Sequence, residues 1–183
     1  LVDLTLPDAM NGEVAKYTLS KNIPTVVLTS KIDEYIRQQM LELGVVDYVV
    51  KDNRDSYHYA IKLVAQLLRN HGSKALVADD SVLSRTLMKQ MLEKQLFNVS
   101  DAHDGEQALQ MLKDDPEIKL LLTDYAMPTM DGFTACETLK KRNELHDIPV
   151  IFMTGLSDSE HVLRGLEVGG VDYITKPVNI DEL

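Results

Sequence analysis

Three residue types with distinctive chemistry are scarce in this chain of 183 residues. It contains one cysteine, no tryptophan and five histidines, and aromatic residues make up only 5%. A single cysteine, Cys136, cannot form an internal disulfide, which is typical of a reducing compartment, and we expect a cytoplasmic protein. The histidines do not have the spacing of a metal site. We therefore expect an aliphatic core and a site built from other residue types.

Long apolar runs and net positive charge are also missing. No stretch approaches the ~18 apolar residues of a membrane-spanning helix, and we identify no signal peptide. The formal net charge is −10, which repels nucleic-acid phosphates and anionic lipids. We therefore expect neither nucleic acid nor membrane as a partner of this segment. The same charge suits an acidic site that binds a cation.

Predicted strands and helices alternate along the whole chain. This alternation favours a parallel sheet with helices on both faces, which is an α/β fold. Strands are predicted at residues 1–4, 25–28, 45–50, 75–78, 97–102, from 120 onward, 149–153 and 171–175. Helices are predicted at residues 13–21, 33–43, 57–70, after 81, 104–114, about 134–141 and 159–168.

Apolar residues at helical spacing occur in several of these helices, and two of the helices also have a predicted N-cap. Ser56 is the predicted N-cap of the helix at 57–70, and Ser81 caps the helix that follows it. We expect the apolar residues of each helix to form its buried face. They are Ile61, Val64, Ala65 and Leu68 in the first helix, and Leu83, Leu87 and Met91 in the second.

The chain contains an internal repeat. LVDLTLPDAMNGE matches LLTDYAMPTMDGF, IPTVVLTS matches IPVIFMTG, and LGVVDYVVK matches VGGVDYITK. The interval between the matched threonine and lysine is 22 residues in both copies. The matches place Asp3 on Asp124, Thr29 on Thr154 and Lys51 on Lys176.

The repeat predicts two tandem units. The first comprises residues 1–70 and corresponds to the later part of a unit, so that its N-terminal half is missing. Residues 71–74 form a linker, and residues 75–183 form the second unit. We expect the second unit to lack most of its last helix, which would begin at 181–183.

Polar side chains follow four predicted strands of the second unit. Taken singly, each has an ordinary structural explanation, such as a turn, a helix cap or a solvated loop residue. Because the carboxyl ends of parallel strands meet at one edge of a sheet, we expect them to lie close together. They are Asp79 and Asp80, Asp124, Thr154 and Lys176.

Three neighbouring carboxylates repel one another unless a cation lies among them. Oxygen ligands without histidine or cysteine favour Mg²⁺ over Zn²⁺. A carboxylate beside Mg²⁺ and a lysine is equipped as a nucleophile towards a phosphoryl group. The pattern therefore indicates phosphoryl transfer to Asp124, with the Thr154 hydroxyl placed to contact an attached phosphoryl group.

Residues 74–183 resemble a response-regulator receiver domain of two-component signalling at every one of these motifs. The resemblance implies a flavodoxin-like, doubly wound parallel sheet with strand order 2-1-3-4-5. It implies that Asp124 is the phosphoacceptor and that Lys176 contacts the phosphoryl group. The Mg²⁺ ligands would be Asp79, Asp80, Asp124 and the main-chain oxygen of Ala126.

The resemblance also assigns conformational roles. Thr154 and Tyr173 would be the switch residues, and the Lys176–Pro177 peptide bond would be cis. The first unit resembles the later part of another receiver, with Asp3, Thr29, Tyr48 and Lys51 at its key positions. Because Asp52 follows Lys51 where the family usually has proline, we expect a trans bond there and a poorly aimed Lys51. The first unit is a candidate second acceptor, and a degenerate, structural receiver is the favoured interpretation.

A sensor histidine kinase or a phosphotransfer protein would be the phosphoryl donor. The resemblance implies a downstream output domain, for which we expect a diguanylate cyclase, and it allows a homodimer.

Three other functions fit the pattern less well. A haloacid dehalogenase phosphatase needs a second aspartate at the position of Ala126. In a flavodoxin-like electron carrier, Asp79 and Asp80 would repel the flavin phosphate. A non-phosphorylated pseudo-receiver fits the first unit better than the second.

Overall fold

The structure is a computed structural model that describes residues 1–10, 12–142, 145–155 and 159–178. Strands and helices alternate throughout these residues, as the sequence predicts. The chain divides into two compact units, Leu1–Arg69 and Asn70–Leu183.

The first unit contains a three-stranded parallel sheet in the order β1-β2-β3. Leu4, Val27 and Tyr48 belong to its buried cluster. The elements of this part of the chain are β1 (Val2–Asp3), α1 (Glu13–Ser20), β2 (Val26–Thr29), α2 (Glu34–Glu42), β3 (Asp47–Val50) and α3 (Arg54–Asn70).

The second unit contains a five-stranded parallel sheet. Its strands and helices are β4 (Lys74–Ala78), α4 (Val82–Lys94), β5 (Asn98–Ala102), α5 (Gly105–Asp114), β6 (Ile118–Asp124), α6 (Gly132–Lys140), β7 (Val150–Gly155), α7 (Ser159–Glu167) and β8 (Asp172–Lys176). The strand order is β5-β4-β6-β7-β8, with every neighbouring pair parallel. Counted within the unit this is 2-1-3-4-5, so the predicted flavodoxin-like order is confirmed.

Buried side chains cover both faces of this sheet. Leu121 and Phe152 belong to the cluster on one face, and their neighbours Leu122 and Met153 belong to the cluster on the other. Successive residues of a strand point to opposite faces, so a strand buried on both sides is apolar at nearly every position. In β4 and β7 the polar residues Asp79 and Thr154 therefore follow an apolar run at its end.

The predicted start of α3 is wrong, and its predicted buried face is right only in part, because Val64 and Ala65 are half-buried. The helix begins at Arg54, and the side chain of Asn53, not Ser56, accepts hydrogen bonds from main-chain N–H groups of the first turn, including that of Ser56 at 3.0 Å. Ile61 and Leu68 are 62% and 73% exposed. The buried residues are Ala60, Leu63 and Leu67.

The predicted face of α4 is also right only in part, because Met91 is half-buried and packs against the core. Leu83 and Leu87 are exposed, whereas Met88 and Leu92 are buried against the sheet. The N-cap is correct, because Ser81 Oγ accepts a hydrogen bond from the N–H of Ser84 at 3.3 Å. Both helices carry apolar residues around much of their circumference, so tertiary packing, not spacing, decides which side is buried.

Two other expectations concern the last predicted helix and membrane-spanning helices. The helix predicted to begin at 181–183 lies outside the described residues. Among the residues that are described, no helix is long and apolar enough to cross a membrane.

The start of α6 packs against the end of β6 at Gly132. A Cβ atom at this position would lie 2.1 Å from the carbonyl oxygen of Asp124 and 3.0 Å from Thr123 Oγ1. The N–H of Gly132 donates to the carbonyl oxygen of Tyr125 at 3.0 Å. Any larger residue therefore forces the main chain around Asp124 to move.

We predict that Gly132→Ala destabilises the second unit by roughly 1–3 kcal/mol, as overpacking does. Cys136 is fully buried, and burial raises the pKa of its thiol to about 11, so it reacts with thiol reagents only when the unit opens. In Gly132→Ala the labelling rate of Cys136 should therefore increase about 5- to 160-fold. In the control Gly72→Ala, whose added Cβ meets no atom within 4 Å, only backbone strain is introduced and the increase should be smaller. Equal rates in both variants would contradict the packing argument.

Candidate functional site

Four strands of the second unit bring their ends to one edge of the sheet. β4 ends directly before Asp79, β6 ends at Asp124 and β8 ends at Lys176. Asp124 is in register with Met153 of β7, and Thr154 follows at the next position. The parallel register therefore places the predicted polar side chains together at this edge.

Three carboxylates form a cluster at this edge. One oxygen each of Asp79, Asp80 and Asp124 lies within 4.8 Å of the other two. Asp79 is completely buried, Asp124 is half-buried and Asp80 is exposed. The cluster is thus open to solvent on the side of Asp80.

Asp79 is held by both of its carboxylate oxygens. Oδ1 accepts a hydrogen bond from the N–H of Ser81 at 2.8 Å, and Oδ2 accepts one from Lys176 Nζ at 2.7 Å. A buried carboxylate needs such partners, because an unpaired charge in the interior is strongly destabilising.

Lys176 bridges two of the three acids. Its Nζ lies 2.7 Å from Asp79 Oδ2 and 2.5 Å from Asp124 Oδ2. Burial alone would lower the pKa of Lys176, but the hydrogen bonds and charges of Asp124 and Asp79 outweigh it and raise the pKa above the usual lysine range. The ammonium therefore stays charged at neutral pH. The predicted cis bond between Lys176 and Pro177 is confirmed.

The predicted switch residues occupy different environments. Thr154 is completely buried, and among the described residues its Oγ1 has no hydrogen-bond partner. Tyr173 lies on the edge strand β8 and is 44% exposed. Ala126 lies two residues after Asp124, where its N–H donates to Asp124 Oδ1 at 3.3 Å.

Sequence reasoning missed two features of this region. Arg85 Nη1 donates to the carbonyl oxygens of Asp79 and Asp80 at 2.6 and 3.2 Å. The ring of Tyr125 stacks on that of His161, with centroids 4.4 Å apart. The sequence gives one indication of the role of Arg85, which is its position one helical turn after Ser81. The residue spacing does not predict that Tyr125 stacks on His161.

The first unit contains a smaller version of the same arrangement. Lys51 Nζ forms an ion pair with Asp3 Oδ2, and Thr29 is buried at the end of β2. The hydrogen bond from Lys51 lowers the pKa of Asp3 below its ordinary value of 3.8. The expected trans bond after Lys51 is present, but the expected poor aim of Lys51 is wrong. Tyr48 is buried in the core of this unit.

Comparison with known proteins places these features in a family. A family model described as the response regulator receiver domain matches residues 75–183. The transcriptional regulatory protein CpxR of Escherichia coli (strain K12) is 43% identical over 111 residues, which cover 61% of this chain and 46% of that protein. The two-component response regulator ORR3 of Oryza sativa subsp. indica is 35% identical over 103 residues, which cover 56% of this chain and 79% of that protein. The chain thus spans about half the length of CpxR.

Solved structures agree with the family match. The crystal structure of a two-component system response regulator/GGDEF domain protein has a TM-score of 0.92 and 38% identity, and the match covers 99% of this chain and 74% of that one. The chemotaxis response regulator CheY4 of Vibrio cholerae has a TM-score of 0.56 and 25% identity, over 60% of this chain and 91% of that one. With a family model that matches more than half of its residues, the chain belongs to the response regulator receiver domain family of two-component systems.

Proposed function

We propose that residues 75–183 accept a phosphoryl group on Asp124 in the presence of Mg²⁺ and that this modification controls a downstream output domain. The observation that carries the proposal is the position of the Lys176 ammonium, which contacts both Asp124 and the buried Asp79. A phosphoacceptor carboxylate needs positive charge at the point where the phosphoryl oxygens arrive.

The acidic cluster fits a divalent cation. Three carboxylates and one ammonium leave two negative charges, which one Mg²⁺ ion would balance. Their oxygens lie within 4.8 Å of one another, close to the ~4.2 Å that separates opposite ligands at Mg–O distances of about 2.1 Å. We assign Asp79, Asp80, Asp124 and the main-chain oxygen of Ala126 as the ligands. When bound, the metal would neutralise charge on the phosphoryl oxygens and order them for transfer.

In the proposed reaction, a carboxylate oxygen of Asp124 forms a bond to the phosphorus of a phosphohistidine. The phosphorus–nitrogen bond of the donor breaks, the imidazole keeps the electron pair and takes up a proton, and an aspartyl phosphate results. Lys176 stays protonated because its pKa is raised, so its charge is available to the incoming group.

The Thr154 hydroxyl supplies the link between the modification and the conformation of the domain. It is buried and, within the described part of the chain, has no hydrogen-bond partner. A buried hydroxyl without a partner costs roughly 1–3 kcal/mol, so a phosphoryl oxygen that accepts its hydrogen bond would favour an altered position of β7. We propose Tyr173 as the second member of this switch.

The domain family implies a histidine kinase as a partner and an output domain as the target. A phosphotransfer protein is an alternative donor, and a homodimer is compatible with the proposal. We propose a diguanylate cyclase output, which the description of one similar structure as a response regulator/GGDEF domain protein supports.

We propose that residues 1–70 form the later part of a second, structural receiver, joined through residues 71–74. Within the described residues no acidic pair accompanies Asp3 and Lys51, since the one cluster of three or more potential ligands is that of Asp79, Asp80 and Asp124. In the described part of this chain, transfer to Asp3 would therefore lack a metal to balance the developing charge.

The first prediction from the proposed function concerns the position of the modification. With a small phosphoryl donor and Mg²⁺, the chain should take up one phosphoryl group. Asp124→Ala and metal chelation should each abolish uptake, and the matched control Asp3→Ala should leave it unchanged. Intact-mass measurement of the three proteins tests this. Uptake by Asp124→Ala would show that the roles of the two units are assigned wrongly.

The second prediction concerns the ion pair of the first unit. In Lys51→Met, the pKa of Asp3 should rise towards 3.8, since its main stabilising partner is gone. Because the folded-state pKa lies below the unfolded value, the pair stabilises the folded unit above about pH 4, and this contribution is lost as the pH falls through the folded-state pKa.

Carboxyl-carbon NMR titration of Asp3 measures this change directly. Lys16→Met is the control, because it removes the same charge from an exposed position of the same unit. A pKa of Asp3 that is equal in the wild type and Lys51→Met would contradict the ion-pair assignment.

A further inference from the structure

Arg85 lies one turn into α4 and points back to the loop that precedes the helix. Its N–H donates to the carbonyl oxygen of Ser81 at 3.0 Å, and its side chain is 14% exposed. Nη1 donates to the carbonyl oxygens of Asp79 and Asp80 at 2.6 and 3.2 Å. One guanidinium nitrogen thus holds both residues of the acidic pair through the main chain.

Asp101 of β5 fixes the other side of the guanidinium. Arg85 Nε donates to Asp101 Oδ2 at 3.1 Å, while Asp101 Oδ1 lies 3.6 Å from Lys89 Nζ, one helical turn further along α4. The planar guanidinium can serve the carboxylate and the two carbonyl groups at once, which the single ammonium of a lysine cannot do in the same geometry.

The two acids depend on the main chain to different degrees. The Asp79 carboxylate is held by the N–H of Ser81 and by Lys176. The Asp80 carboxylate is exposed and, among the described residues, accepts no hydrogen bond. The position of Asp80 therefore follows from the main chain that Arg85 holds.

We propose that Arg85 is a positioning residue for cation binding: by holding the carbonyl groups of Asp79 and Asp80, it keeps the Asp80 carboxylate within reach of the Asp124 carboxylate before a cation arrives. This inference rests on the metal site of the proposed function. Substituting a residue that orients metal ligands in this way typically changes metal affinity by about 10- to 100-fold.

Three roles for Arg85 make different predictions. If it positions Asp80, both Arg85→Met and Arg85→Lys weaken cation binding, because neither can make the three contacts. If it acted only through its charge, Arg85→Lys would resemble the wild type and Arg85→Met would bind the cation more tightly, since a neighbouring positive charge would be gone. If it only stabilised the fold, the rate of Cys136 labelling would rise and cation affinity would stay constant.

The experiment measures Mn²⁺ binding to the full chain from the amplitude of the free-ion electron paramagnetic resonance signal, with Mg²⁺ as competitor. Arg85→Met should weaken binding about tenfold and Arg85→Lys less, but in the same direction. Asp101→Asn, which leaves Arg85 in place but weakens its anchor, should have an intermediate effect. The matched control is Lys94→Met, which removes the same charge from an exposed position of the same helix and should change affinity less than about twofold.

Binding to Arg85→Met and Arg85→Lys within about twofold of the wild type, or tighter, would overturn the proposal. Comparing Mn²⁺ binding by the wild type and by Asp124→Asn tests the proposed metal site itself. If these two bind Mn²⁺ equally, the proposed metal site is wrong and the role of Arg85 fails with it. If they differ while the Arg85 variants match the wild type, only the inference about Arg85 fails.

Discussion

The contact between the Lys176 ammonium and the carboxylates of Asp79 and Asp124 is the interaction on which the second unit's site depends. It joins residues 97 and 52 positions apart in the sequence, so it exists only when β4, β6 and β8 lie in the observed parallel order. Several carboxylates at the end of an apolar sheet repel one another strongly, because the dielectric constant there is low. The Lys176 ammonium offsets this repulsion. The close packing of Gly132 on the carbonyl oxygen of Asp124 further restricts the main chain at the same point.

The strands and the convergence of the acidic residues could be predicted from the residues because the signals are strong, whereas the strand order was implied by the resemblance to receiver domains. The strands are short apolar runs, and a polar residue at the end of each one has a defined place in a parallel sheet. The buried faces of α3 and α4 were predicted only in part because both helices have more apolar residues than one face can hold. Ile61 and Leu83 are exposed for that reason, and their packing is set by the sheet and not by local spacing.

Arg85 was missed for a different reason. An arginine on an amphipathic helix is usually a solvated residue, and its target here is main-chain carbonyl oxygen, which has no sequence signature. Likewise, the expectation that Lys51 would be poorly aimed relied on the residue that follows it, but Lys51 reaches Asp3 all the same. In both units the register of the strands, and not the local motif alone, decides which side chains meet.

In the proposed function, Asp124 is the residue that carries the phosphoryl group. The most direct test is to treat the chain with Mg²⁺ and a small phosphoryl donor, reduce the acyl phosphate with borohydride, and locate the product by peptide sequencing in a mass spectrometer. Reduction converts a phosphorylated aspartate to homoserine, so we expect homoserine at position 124 and aspartate at position 3. Homoserine at position 3, or at any site other than 124, would contradict it.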